Sequence, residues 1–247
     1  MIRASSTFIF SFTRLGEKLI LRLIPDGIVQ DVIQELHFIN SLSEQHINTH
    51  LMVQTSSDEQ YVMFLSNYQT YLATVFTFIE GDQFEYEEIG QEYLKEWGKA
   101  LGKLHAASKK ITSIDIQRRK IDINQLNLEL PETEQEARME LESLSQHFSK
   151  LGNLTSGIIH FDFELDNLIW KGHQPFIIDL EGWKIGPYAA DIAFALRDIF
   201  EGSIDLEGEN FQLFLEGYRS ETELTAEEVM TIPIFLRLHN LITFTRL

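Results

Sequence analysis

The chain has 247 residues, 44% of them hydrophobic and 23% charged, which suits one large globular domain or two small ones packed together. It contains no cysteine, so disulfides, thiol catalysis, iron–sulfur clusters and zinc ribbons are excluded. Lys plus Arg is 20 against 38 for Asp plus Glu, a formal charge of −18 that repels nucleic-acid phosphates and anionic membrane surfaces and favours cationic partners.

No apolar run approaches the ~20 residues of a membrane-spanning helix. The start, Met1 to Ser6, lacks the basic-then-apolar plan of a signal peptide, so the expected location is cytoplasmic. The first elements are strands. Phe8, Phe10 and Phe12 alternate with other residues, Leu15-Gly16-Glu17 makes a turn, and residues 19–24 form a second apolar run that Pro25 ends. Ile28, Val32, Leu36 and Ile39 repeat at helical spacing. Three further extended runs follow at 51–54, 61–65 and 71–79, closed by Glu80-Gly81-Asp82.

Beyond that point the pattern turns helical. Leu94, Trp97, Leu101 and Leu104 share one helix face; Leu141, Leu144, Phe148 and Leu151 share another. A β-rich island interrupts at 157–163, 168–170 and 175–180, and Ile192, Leu196, Ile199 and Phe200 begin a helical tail. Thr225 with Glu228 fits a capping box, and Pro233 starts or kinks the next helix. The expected organisation is α+β in two lobes, 1–79 mostly strand and 80–247 mostly helix.

Two constellations carry chemistry. Arg22 is the only charge in its apolar strand, and Glu35 lies on the apolar face of the following helix; a buried guanidinium needs a carboxylate to offset its desolvation. The second is His160-Phe-Asp-Phe-Glu-Leu-Asp-Asn167, with Asp179 twelve residues on at the end of an apolar strand. Asn167 and Asp179 offer the oxygen ligands that Mg²⁺ takes, with Glu181 nearby as a third candidate. Asp162 is placed to accept a proton from an incoming hydroxyl, the division of labour found in phosphoryl transfer. Weaker candidates fall away: His46 and His50 sit in a polar loop and read as solvated, the glycines at 152 and 157 lack the Lys-Ser/Thr of a phosphate loop, and no Gly-x-Ser-x-Gly elbow exists.

The 160–167 segment resembles the H-x-D-x-x-x-x-N motif of the aminoglycoside phosphotransferase and choline-kinase-like families. The resemblance extends in order from about residue 5 to 200. Gly81 is similar to the hinge glycine, Gly98 to His105 to the helix before the catalytic region, and Ala189 to Asp198 to the helix whose Asp191 braces the catalytic loop. It implies a protein-kinase-like fold with an ATP donor (GTP as an alternative), Mg²⁺, and a small-molecule hydroxyl as acceptor. Asp162 would be the base, and Asn167, Asp179 and Glu181 the metal side. Arg22 and Glu35 would place the phosphates. Ser5, Ser6 and the hinge backbone at Thr77, Phe78 and Ile79 would contact nucleotide, and His160 would support the loop. Carboxylates at 164, 166, 201, 205, 207 and 209 suggest a cationic acceptor if several line one cleft; the alternative is that they are solvated surface charges. The same fold also serves protein Ser/Thr kinases and catalytically silent nucleotide-binding proteins. Three departures stand out: the strand before the phosphate-covering loop looks absent, the last helix looks uncapped, and Phe161 stands where the aminoglycoside enzymes have Gly.

Overall fold

The computed structural model describes residues 3–4, 7–66, 69–111, 119–121, 130–200 and 204–245. The chain divides into two compact units. The first comprises Met1–Gln83, Ile111–Asp115 and Leu168–Glu181; the second comprises Phe84–Lys110, Ile116–Asn167 and Gly182–Leu247.

The first unit is built on a five-stranded sheet of order β1-β2-β3-β5-β4. Its strands are β1 (Arg3–Ala4), β2 (Phe8–Arg14), β3 (Glu17–Pro25), β4 (Val62–Ser66) and β5 (Gln69–Thr77). Leu15 and Gly16, at φ 54° and 86°, supply the left-handed pair that a tight hairpin turn demands. Helix α1 (Val29–Glu44) buries Val32, Leu36, Phe38, Ile39 and Leu42; of the residues whose spacing predicts this face, Ile28 precedes the helix and is exposed. Residues 51–54 do not form a named strand. Instead the Val53 amide donates to the Val75 carbonyl and Thr77 to that of Leu51, so the segment runs along the edge of β5 as an irregular extension. An upstream strand does exist: Arg3 and Ala4 pair antiparallel with Ile9 and Phe8, correcting the expectation that it is absent. Two residues carry too little pattern to be read from sequence.

A hairpin of β6 (Leu168–Lys171) and β7 (Gln174–Ile177) also belongs to this unit, with Leu168 opposite Ile177. Asp179 therefore emerges at the Leu168 end of that hairpin. Asp82 and Trp170 exchange backbone hydrogen bonds at 2.9 and 2.8 Å. A Cβ on Gly81 would lie 2.4 Å from the Trp170 carbonyl oxygen, so the close approach of these two backbones requires glycine.

The second unit is mainly helical. It contains α2 (Gln91–Ser108), α3 (Gln135–Phe148), α4 (Tyr188–Ala195), α5 (Glu209–Arg219), α6 (Ala226–Val229) and α7 (Ile232–Phe244). A short antiparallel pair, Ser156–Ile159 with Lys184–Pro187, threads among them. Helices α2 and α5 touch backbone to backbone: a Cβ on Gly98 would fall 1.9 Å from the Phe214 carbonyl oxygen, and one on Gly217 equally close to that of Lys95. Neither neighbour is a flexible side-chain end, so relief requires moving a helix. Gly98→Ala is expected to destabilise the protein by about 1–3 kcal/mol, at the upper end of overpacking effects; urea unfolding of the two proteins checks it.

The Thr225–Glu228 capping box forms, and Glu228 also accepts from the Thr155 amide at 2.7 Å. Helix α7 carries Pro233 in its first turn. Its end is capped, contrary to expectation: the Thr245 amide donates to the Leu241 carbonyl and its hydroxyl to that of Ile242. Among the described residues no helix is long and apolar enough to cross a membrane.

Candidate active site

In the first unit β3 lies between β2 and β5, so Arg22 is on an interior strand. Its guanidinium binds Glu35 through two parallel hydrogen bonds, Nη1 to Oε1 at 2.8 Å and Nη2 to Oε2 at 2.7 Å. Both side chains are buried, and this fork-to-fork geometry is the strongest arrangement the two groups can adopt. Burial alone would lower the guanidinium's proton affinity, but the charge and hydrogen bonds of Glu35, with Glu181 and Asp179 behind it, more than offset that and raise its pKa. Glu181 reaches Nη1 at 3.8 Å, and the Phe76 ring lies 5.2 Å from the guanidinium carbon. Arg22, Glu35, Glu181 and Asp179 thus form one electrostatic group. Asp179 itself sits at φ 56°, a left-handed backbone that Asp tolerates better than most residues.

Of the hinge residues, Thr77 donates its amide to the Leu51 carbonyl and Phe78 donates to that of Lys18. Nucleotide contact by those two would therefore run through carbonyls or side chains. Ile79 is buried. Ser5 and Ser6 lie outside the described residues.

His50 departs from the solvated reading. Its ring packs 4.4 Å from that of Phe76, and its Nε2 is buried. Burial, helped by the Arg22 charge, pushes its pKa down to about 3. The folded protein thus holds His50 neutral where the unfolded chain, at its ordinary value near 6.5, takes up a proton. Stability is full above about pH 6.5 and falls as the pH drops toward 3. Between pH 7 and pH 5 this group should remove about 2 kcal/mol. The urea midpoint at both pH values checks it, with His50→Phe expected to flatten the difference.

In the second unit the 160–167 loop hangs from one carboxylate. Asp191, fully buried on α4, accepts from the His160 amide at 2.8 Å through Oδ2 and from the Phe161 amide at 2.8 Å through Oδ1. Its Oδ2 also meets Nε2 of His105 at 2.9 Å, while Nδ1 of His105 lies 2.8 Å from the Tyr218 hydroxyl. Burial lowers the His105 pKa against the pull of Asp191. A neutral ring that donates from Nε2 and accepts the Tyr218 proton at Nδ1 satisfies every partner. The Tyr188 ring stacks on it at 4.1 Å. Phe161 takes φ 73°, a strained conformation for a bulky residue. The Asp191 bond and an edge contact to Phe194 at 5.3 Å hold it there.

Asn167 donates Nδ2 to the Asp162 carbonyl at 2.8 Å and to Oδ2 of Asp162 at 3.2 Å, leaving its amide oxygen as the atom to offer a cation. Oδ1 of Asp162 accepts from Nη2 of Arg197 at 2.9 Å, and the same nitrogen pairs closely with Glu164. Burial pushes Glu164 up to about 8, Arg197 opposing and the Asp162 and Asp198 carboxylates adding to the rise. Among the carboxylates that suggest a cationic acceptor, Asp205 turns back to accept from the Glu207 amide, and Glu201 lies outside the described residues.

By donor chemistry alone Mg²⁺ suits these residues: Asn167 of the second unit and Asp179 and Glu181 of the first each carry hard oxygen donors, and among the described residues no group of three or more His, Asp or Glu is placed to hold a metal. Mg²⁺ needs no more than one or two carboxylates when substrate phosphates complete its shell. Sequence reasoning assigned no role to His105, Tyr188, Tyr218 or Arg197. For Arg197 the signal was available: a lone cation closing an apolar run, the mark that also singles out Arg22.

Residues 3–224 match the phosphotransferase enzyme family. A homoserine kinase from Beijerinckia indica is 32% identical over 100 residues, covering 40% of this chain and only 30% of that protein's length. Among solved structures, an amicoumacin kinase in complex with AMP-PNP and Ca²⁺ superposes with a TM-score of 0.85 at 18% identity, over 99% of this chain and 79% of the other. A microcompartment-associated aminopropanol kinase gives 0.73 at 19% identity, over 98% and 81%. The α+β, protein-kinase-like fold is shared with these structures.

Proposed function

Because the chain belongs to the phosphotransferase enzyme family, we propose that it moves the γ-phosphoryl group of ATP, with GTP as an alternative donor, to a hydroxyl of a small cationic molecule. The observation that carries this reading is the 160–167 loop: Asp191 fixes its backbone, and Asp162 and Asn167 are bonded to each other on it. Asp162 orients the acceptor hydroxyl and takes its proton as the new O–P bond forms and the bond to the departing ADP breaks. Arg22, fixed by Glu35, steers the nucleotide phosphates. Asn167 and Asp179, with Glu181 in support, hold Mg²⁺, which neutralises charge on the phosphates when bound. The acidic loop and a net charge of −18 favour an acceptor bearing an amine. Asp166, exposed on that loop, is the carboxylate beside the proposed base that is accessible to an acceptor, whereas Glu164 is taken up by Arg197.

The test is phosphate transfer from Mg²⁺-ATP to a panel of 1-amino-2-propanol, ethanolamine, choline, L-homoserine, an aminoglycoside, uncharged glycerol and anionic glycerate. Salt-sensitive turnover of at least one amine-bearing alcohol is the expected result. Turnover restricted to anionic or uncharged alcohols would remove the cationic acceptor, and absence of both transfer and ATP hydrolysis would remove the enzyme.

A further inference from the structure

Arg197 follows the end of α4, just past its C-cap Leu196. Its Nη1 donates to the Phe194 carbonyl at 3.2 Å, which satisfies one of the carbonyls a helix end leaves open. A cap needs no more than that. Yet Nη2 turns to Asp162 and Glu164 together, and Nε comes within 4.0 Å of Asp198. The guanidinium side chain is 16% exposed, against 46% for Asp162, so the cation is set into the protein while the carboxylate it holds faces outward.

We propose that Arg197 is the positioning residue of the base: it clamps Asp162 through Oδ1 so that the carboxylate keeps one rotamer. This rests on the reading of Asp162 as the base and goes beyond it. The neighbouring bonds divide the work. Asn167 touches Asp162 at the backbone carbonyl and at Oδ2, and Arg197 touches the other oxygen. With both oxygens fixed, the carboxylate plane is defined, and the lone pairs not used by these two donors point in set directions. With only the Asn167 contact, at 3.2 Å, the group could turn about its Cα–Cβ and Cβ–Cγ bonds and swing toward solvent. A carboxylate misplaced by about 1 Å loses on the order of 10²-fold in rate. Glu164 serves as the second anchor. Because Nη2 is shared between Asp162 and Glu164, the guanidinium is held from both sides and does not pivot on its cap. A Lys at this position keeps the charge but not the planar fork that reaches the helix carbonyl and two carboxylates at once.

The experiment compares wild type, Arg197→Ala, Arg197→Lys and Asp162→Asn by phosphate release from Mg²⁺-ATP in water, which needs no identified acceptor, and by transfer to 1-amino-2-propanol. The expected result for Arg197→Ala is a kcat lower by about 10- to 100-fold with KM for ATP unchanged. Guanidinium ion at sub-denaturing concentration should partly restore it, and should do nothing for Asp162→Asn. Arg197→Lys should fall between, at wild-type thermal stability, and it decides the matter if the alanine variant does not fold. Wild-type kcat in Arg197→Lys and Arg197→Ala while Asp162→Asn is inactive overturns the positioning role and leaves the base intact. A loss in Arg197→Ala that guanidinium does not restore, with matched loss of thermal stability, reduces Arg197 to a helix cap. Wild-type turnover in Asp162→Asn, or a wild type that neither hydrolyses nor transfers, overturns the reading of the base and this inference with it.

Discussion

Asp162→Asn is expected to lower phosphoryl transfer by about 10²–10⁴-fold, the range for loss of a general base, and to leave nucleotide affinity nearly unchanged. Asn keeps the size of Asp, its one amide oxygen can still accept from Arg197, and Asn167 keeps its bond to the backbone carbonyl of residue 162, so the loop should hold its conformation. What it loses is the negative charge and the basicity. Asp179→Ala should behave differently, weakening Mg²⁺-nucleotide binding along with turnover. Single-turnover rates with saturating Mg²⁺-ATP, set beside nucleotide titrations of both variants, check the pair. Weaker nucleotide binding by Asp162→Asn would move that residue to the metal side, and unaltered turnover would remove it from the chemistry.

Glu35→Ala should cost about 3–5 kcal/mol of stability, because it strands the Arg22 guanidinium inside the first unit. Glu181 at 3.8 Å is a partial substitute, more exposed than Glu35 and without the two-bond geometry. Replacing both members with apolar residues, Arg22→Met with Glu35→Leu, should recover most of the stability, since no charge is then left buried. It should not recover nucleotide binding, because no cation remains to meet the phosphates. Denaturant unfolding and nucleotide titration of the single and double variants separate the two effects. A double variant that binds ATP like wild type would make the pair purely structural.

Much of this arrangement is legible in the residues. Arg22 and Glu35 announce themselves as isolated charges on apolar faces, and the bidentate pair follows from the cost of burying either alone. The spacing from His160 to Asn167 and on to Asp179 carries the loop and hairpin. The Thr225–Glu228 box is a local signal and forms as spaced. The parts not legible are those made by distant chain segments meeting. His50 sits in a polar stretch, and the Phe76 ring packed against it, with the Arg22 charge nearby, makes it a half-buried neutral group. His105 reads as one more residue of α2 until Asp191, 86 positions later, reaches it. The first strand is two residues long, below what alternation can reveal, and the α7 cap is a threonine bonding backward, which composition does not mark.

The Asp191 carboxylate accepts from two backbone amides and a histidine ring, and that has a consequence for how the sequence can drift. Three donors converge on two oxygens, so an amide in place of the carboxylate would turn an NH₂ toward at least one N–H, and a shorter hydroxyl would leave two donors unanswered in a dry interior. A longer Glu would have to displace the loop it holds. Position 191 is therefore tied to the backbone it holds more than to its ring partner: a change at 105 removes one contact of three, while a change at 191 leaves two backbone amides unanswered whatever stands at 105. Neighbouring surface positions are under no such restriction. A chain of this kind can travel far in sequence over most of its length, while the carboxylate at 191 holds its place.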